Sequence, residues 1–403
     1  LKEAILSFLK SSSYIVICSS LALLANYVLH LYLGRSLGPE GYGIFSALHA
    51  VGLLFALPFT AINFTVASEL IGLNKAQIRA YLKQLFLFDL ILIGALLVVF
   101  LASGKWIMSF LHLNDLSFLF ITLLIPLSAI FQINIFGILQ GLQLFKTYGL
   151  VIFSSQFLRL ISGVFLVVIG FGVDGALLSS TIGTLCSVIL GGFYIKDYLA
   201  LSVGRIKRFI MTRLFKKIIF YSAYTAAFAF FFYIDIPLVK HLFSPYETGL
   251  FSVAAVLGKV PIYLVGPVGL VIFSKVVEMK KRDEPYFRFF LFSLFIAFLA
   301  LIFIGLGYII FAPLVIKMLF GKAYLEAIPL VRYYGLATIV LSLASITVQY
   351  ATAIEKKHFL LIHWLANLGF VISLYLFHPK LYYAIFWLGV WSFIIVLGNL
   401  VKK

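Results

Sequence analysis

Four ionisable side chains in this sequence interrupt long apolar runs: Asp89, Arg159, Asp235 and Lys259. Such runs are about 20 residues long, the length that crosses a bilayer, and an ionisable group inside one is expensive enough to be a functional hypothesis by default. Arg159 lies near the middle of its run, too deep to snorkel, and its planar fork of donors suits bidentate contact with a phosphate. Lys259 is a second buried cation with the same attraction for an anion. Asp89 and Asp235 are candidate carriers of a coupling ion, Na⁺ or H⁺, because a buried carboxylate either binds a cation or neutralises by protonation. Asp235 and Lys259 fall at similar depth on adjacent spans, so an ion pair between them is reasonable. That pair either offsets two desolvation costs or opens, releasing Lys259 to a substrate phosphate and Asp235 to a cation. Asp89 reads first as a supporting partner of a neighbouring group, and as alternatives it pairs with Arg159 or neutralises by protonation.

Uncharged groups extend the pattern. Asn26 and His30 share a helix face at i, i+4, Asn63 lies in the next span, and Tyr224 and Tyr263 flank the Asp235–Lys259 region. Together they offer the hydrogen bonding and ring stacking that sugars need. Arg35, at the outer end of the first span, reads as an interfacial anchor that needs no other role, the alternative being a contact with phosphate at the exit. Pro261, Gly266 and Pro267 crowd the span that carries Lys259; proline removes a backbone donor and clashes one turn back, so a bend and a hinge are expected there, with Pro58 a counterpart in the first half. Gln132, Asn134, Gln156, His363 and Asn367 read mainly as groups hydrogen bonding between helices.

Several chemistries are missing. The sequence has no Gly-x-x-x-x-Gly-Lys phosphate loop, no His-Glu-x-x-His and no Cys-x-x-Cys, and its seven His are scattered without ligand spacing. Cys18 and Cys186 fall inside predicted spans, which argues against a disulfide framework or a thiolate metal site. No metal, no cofactor and no catalytic residue are expected. A membrane-embedded polysaccharide polymerase or ligase, the rival reading from the enzymes, would be expected to carry a long outer loop with Arg or His, and the longest here, near 312–327, holds only Lys317 and Lys322 as cations.

These residues must be positioned by helices in a bilayer. Of the 403 residues, 63% are hydrophobic and 11% charged, against about 45–50% and about 25% in a soluble domain. Periodicity and hydropathy predict twelve spans, over 12–33, 43–66, 82–101, 117–139, 147–170, 174–195, 217–241, 250–273, 287–311, 328–352, 358–378 and 381–400. No loop is long enough for a separate soluble domain. The net charge of +17 belongs to topology rather than to nucleic acid: 22 of the 31 Lys and Arg fall on the side holding both termini and seven on the other, which places the termini in the cytoplasm. The first span is read as uncleaved. Residues 196–216 form a basic linker in which Val203, Ile206, Ile210 and Leu214 recur at helical spacing, as in a helix lying on anionic headgroups.

The two halves repeat. LGPEGYGIFSA at 37–47 and FSPYETGLFSV at 243–253 align at an offset of 206, matching Pro39 with Pro245, Gly43 with Gly249, Phe45 with Phe251 and Ser46 with Ser252. Each copy falls in the outer turn between the first two spans of a six-helix half, and both halves start from the cytoplasm, so the repeats are parallel. The expected fold is therefore an all-α polytopic membrane protein of two pseudo-symmetric six-helix lobes, 1–195 and 217–403, around a central cavity. The repeat is chemically asymmetric: Leu29 and Leu53 stand where the second half has Asp235 and Lys259.

The run YLGRSLGPEGYGIFSAL at 32–48, with LQGLQLFKTYGLVIFSSQ at 139–156, SPYETGLFSVA at 244–254 and GKAYLEAIPLVRYYG at 321–335, resembles the Wzx-type polysaccharide-exporter flippases. These belong to the multidrug, oligosaccharidyl-lipid and polysaccharide exporter superfamily. The resemblance implies a transporter in the cell membrane that moves a lipid-linked oligosaccharide on polyprenyl pyrophosphate, by alternating access coupled to an ion gradient. The implied partners are that substrate, membrane lipid and other polysaccharide assembly proteins. Within the superfamily a lipid II-type flippase and an exporter of organic cations are the alternatives; the cations Arg159 and Lys259 favour an anionic substrate.

Overall fold

The computed structural model describes residues 2–70, 73–199, 222–223, 226–354 and 357–400, and the described residues contain helices and turns but no strand. Tyr224 and all but the first four residues of the basic linker lie outside them. In chain order the helices are α1 (Lys2–Ala56), α2 (Thr60–Leu70), α3 (Lys75–Phe110), α4 (Leu116–Gly141), α5 (Phe145–Val168) and α6 (Gly172–Leu199). A helical stretch over 226–233 leads to α7 (Asp235–Leu242), α8 (Pro245–Gly258), α9 (Val260–Lys281), α10 (Tyr286–Leu319), α11 (Ala327–Ile354), α12 (Lys357–Leu376) and α13 (Tyr382–Leu400).

Ten helices among the described residues are long and apolar enough to cross a membrane. Twelve spans were expected, and the difference has two causes. The first two spans run together in α1, which is helical across the expected outer turn except at Gly38, where φ is 66° and ψ 177°. Only glycine adopts that backbone readily, and Pro39 directly after it has the fixed φ suited to restarting a helix. The expected seventh span begins in the undescribed region. Spans three and nine are longer than expected, since α3 runs from 75 to 110 and α10 continues to 319.

The chain divides into two compact units. The first holds Leu1–Ser36 and Leu48–Ala226; the second holds Leu37–Ala47 with Ala227–Lys403. The boundary is therefore not a simple cut at the linker, since eleven residues of the first half, 37–47, cluster with the second.

Within the first unit α5 and α6 pack as an antiparallel pair and α4 lies against α2 and α6. Small residues set these approaches. A Cβ at Gly137 would sit 2.8 Å from the Asn63 carbonyl oxygen, and one at Gly141 2.9 Å from that of Ala67. The Gly-x-x-x-Gly spacing thus seats α4 backbone to backbone on α2.

In the second unit α11 is the axial helix, packed against α8, α9, α10 and α13. Here the repeated motif explains itself. A Cβ at Gly43 would collide with the Pro245 carbonyl oxygen, and a Cβ at Gly249 with that of Pro39. Each Pro-x-x-x-Gly copy lays its glycine on the proline of the other, a reciprocal crossing that leaves no room for a side chain.

Candidate functional site

Three of the four intramembrane charges lie in two buried polar clusters, one in each unit, and Asp89 stands apart from both. In the first, Gly183 on α6 brings that helix against Arg159 on α5: a Cβ there would lie 2.7 Å from both the Arg159 Cβ and the Ser155 carbonyl oxygen. The guanidinium, 8% exposed, reaches α1. Nη1 donates to Asn26 Oδ1 at 3.1 Å, and Nη2 lies 3.0 Å from His49 Nε2. A guanidinium only donates, so His49 accepts here, which assigns it as the neutral tautomer with its proton on Nδ1. The His30 ring stands edge-on to His49, centroids 6.5 Å apart.

The alternative that pairs Asp89 with Arg159 is corrected. Asp89 is buried on α3 and its Oδ2 accepts from Asn134 Nδ2 of α4 at 2.6 Å, while Oδ1 is buried with no hydrogen-bond partner. Asn63 lies on α2, where its backbone carries the Gly137 contact and its Oδ1 is buried without a hydrogen bond. Arg35 is exposed three residues before the Gly38 break.

The second cluster forms where two helices are broken. Pro237 lacks an N–H and crowds the carbonyl of Tyr233, and the helix is interrupted at Ile234. The Ile236 amide, whose regular acceptor would be the Phe232 carbonyl, donates to Asp235 Oδ1 at 2.9 Å instead. The released Phe232 oxygen accepts from Lys259 Nζ at 2.6 Å. Pro261 acts likewise one span on. It interrupts the helix at Lys259, the shared cap of α8 and α9, and the Leu257 carbonyl one turn back accepts from the Tyr308 hydroxyl at 2.5 Å.

Asp235 and Lys259 form the expected ion pair, with Nζ 2.9 Å from Oδ2 and 3.1 Å from Oδ1. Tyr334 of α11, whose ring covers Gly258, donates its hydroxyl to Asp235 Oδ2 at 2.5 Å. Lys259 Nζ also sits 4.5 Å from the centre of the Phe232 ring. Asp235 and Tyr334 are fully buried and Lys259 is 6% exposed. Every oxygen of the carboxylate is thus occupied, and Lys259 is held by three protein oxygens. Tyr263 lies outside this knot, 44% exposed, with its ring edge-on to Phe232. Gly266 and Pro267 lie inside the unbroken α9, so the interruption sits at Lys259–Pro261 and not beside them.

Sequence reasoning missed His49, Tyr334 and Pro237. His49 was within reach, as an ionisable residue inside a predicted span. Pro237 stands two residues after Asp235. Tyr334 is one of 22 tyrosines, and no local signal distinguishes it.

The fold is one that solved transporters of the MOP superfamily share. The chain is similar to a multidrug resistance MATE family transporter of that superfamily in an inward-facing conformation, with a TM-score of 0.77 and 14% identity over 96% of this chain and 95% of that one. It is similar to the lipid II flippase MurJ in an inward closed conformation, with a TM-score of 0.72 and 16% identity over 96% and 87%. A eukaryotic MATE transporter matches with a TM-score of 0.60 and 16% identity over 98% and 95%. No curated protein sequence matches. The family model described as polysaccharide biosynthesis protein matches residues 8–280, and the chain belongs to that family.

Proposed function

We propose that this protein is a flippase that moves a lipid-linked oligosaccharide, carried on polyprenyl pyrophosphate, across the cytoplasmic membrane for surface polysaccharide synthesis. The observation that carries this reading is Arg159, a buried guanidinium with Nη1 on Asn26 and Nη2 on His49, a side chain whose planar fork of donors suits a phosphate. The family supplies the polysaccharide context, and transporters among the structural neighbours fit a non-enzymatic role. Alternating access, both termini in the cytoplasm and assistance from other assembly proteins complete the model. Lys259 contributes only if the Asp235 knot opens, with the break at Lys259–Pro261 as its hinge.

Coupling to a Na⁺ or H⁺ gradient offsets the cost of moving a charged headgroup through a low-dielectric span. Asp89 is the better of the two candidate carriers, because its Oδ1 is unoccupied where both oxygens of Asp235 are engaged. The test is flipping of a fluorescent polyprenyl-pyrophosphate oligosaccharide in proteoliposomes under imposed Na⁺ and pH gradients. Wild type is expected to flip and to respond to one gradient, Arg159→Ala to lose flipping while still inserting, and Asp89→Asn to lose the gradient response. Extrusion of an organic cation with no lipid flipping would overturn the substrate and favour a multidrug exporter.

A further inference from the structure

We infer that the groove between α11 and α13 seats one acyl chain of an anionic phospholipid, whose phosphate is held at the end of the groove by Arg332 and Lys380. The inference stands apart from the flippase reading and concerns a lipid that is not the cargo.

The groove has a volume of about 760 Å³ and is lined by aliphatic and aromatic side chains of the two helices. Exposed rings of Tyr333, Tyr382, Phe386 and Phe393 form its walls. Its floor lies where two small residues face each other, since a Cβ at Gly389 would meet only Ala337, at 3.7 Å. Such a trough offers water no set of polar partners, so in a bilayer hydrocarbon fills it. From Tyr382 to Ile394 the lining of α13 covers about 18 Å at about 1.5 Å per residue. One leaflet of hydrocarbon is about 15 Å deep. The groove therefore matches a chain lying in a single leaflet, whereas a polyprenyl chain, many isoprene units long, would outrun it.

The charge lies at one end. The rings of Tyr333 and Tyr382 meet edge to face with centroids 5.3 Å apart, which sets the first turns of α11 level with the start of α13. Arg332 directly precedes Tyr333, and Lys380 stands two residues before Tyr382, so both cations belong to that end of the groove. Arg332 Nε is buried without a hydrogen bond, and neither cation forms an ion pair among the described residues. A buried donor left open is costly, and a phosphate at the membrane surface supplies the acceptor, reached by a stem that lies over apolar surface. Lys380, exposed in the turn before α13, adds a second charge. Each cation near the surface is worth about fivefold in affinity for a negative headgroup, which selects an anionic over a zwitterionic lipid. A second copy of this chain docked face to face through the trough would instead bring like charges together. The groove also touches the ion pair described above. Tyr333 lines it while Tyr334, next in the chain, donates to Asp235, so a chain seated there braces the turn of α11 that closes the pair.

The experiment is native mass spectrometry of the full-length protein released from bilayers of equimolar phosphatidylglycerol and phosphatidylcholine. Wild type is expected to retain a phosphatidylglycerol that the double variant Arg332→Gln, Lys380→Gln binds about tenfold or more weakly. Gly389→Leu, which fills the floor of the groove, is expected to lose that lipid altogether. Should Gly389→Leu not fold, Ala337→Leu fills the same floor from the other helix. No phospholipid retained by wild type, no preference for the anionic one, or retention unchanged in either variant overturns the inference. Displacement of the phosphatidylglycerol by an equal amount of undecaprenyl phosphate would hand the groove to a polyprenyl tail, and a dimer that Gly389→Leu turns into a monomer would hand it to a second copy. Either result overturns the choice of occupant. None of these readouts measures flipping, so the flippase reading stands or falls separately.

Discussion

A cation buried in an apolar bundle needs a counter-charge or a set of neutral acceptors, and the second unit of this chain contains an example of the first. Lys259 has Asp235, and removing one partner of such a pair costs about 3–5 kcal/mol because the other charge is stranded. Asp235→Asn is therefore expected to lower thermal stability in detergent sharply, whereas Asp235→Leu combined with Lys259→Met should be less destabilised than either single change. Additive losses in that double-mutant cycle would show that the contact carries no coupling. The pair was legible in the sequence because depth along a span is readable from residue counts alone. Its completion was not. The Phe232 carbonyl becomes an acceptor only once Pro237 has broken the helix, and Tyr334 arrives from a helix nearly a hundred residues on. Asp89 shows the reverse failure, where depth suggested Arg159 as a partner but the facing side chain is Asn134.

At the scale of elements, proline and glycine decide where helices break and how closely they approach. Pro237 and Pro261 each interrupt a span two residues after a charged residue and free a carbonyl that a side chain then occupies. Glycine acts by absence. Gly183→Leu puts a side chain where even a Cβ is 2.7 Å from the Ser155 oxygen and the Arg159 Cβ; overpacking of this kind costs about 1–3 kcal/mol. The expected result is a lower melting temperature in detergent together with weakened pyrophosphate binding. Gly192→Leu on the same helix meets nothing within 4 Å and should leave both nearly unchanged. The order of the spans was readable from hydropathy, since about 20 apolar residues have few alternatives to crossing a bilayer. The lengths of α3 and α10 were not, because a span set at about 20 residues stops where the bilayer does and not where the helix ends. Nor was the break at Lys259–Pro261 separable by composition from Gly266 and Pro267 a turn or more further on.

Across the whole molecule, charge asymmetry predicts orientation: green fluorescent protein fused after Lys403 should fluoresce in the cytoplasm, and alkaline phosphatase fused after Lys322 should be active outside. The opposite pattern would invert the topology read from the 22 to 7 distribution of Lys and Arg. The repeat was visible as an aligned motif, but its purpose, a glycine seated on the partner proline in both directions, emerged only in three dimensions. That crossing makes residues 37–47 a fixed part of the second unit although the first half of the gene product supplies them. The second half translated alone would therefore lack a piece of its own interior. Two fragments divided within 200–221 should reconstitute when made together, while the fragment from 222 onward should fail without its companion. The same exchange suits an origin in a duplicated six-helix chain whose ancestor assembled by lending this segment to a second copy of itself, so that fusion of the genes made permanent what had been a swapped dimer.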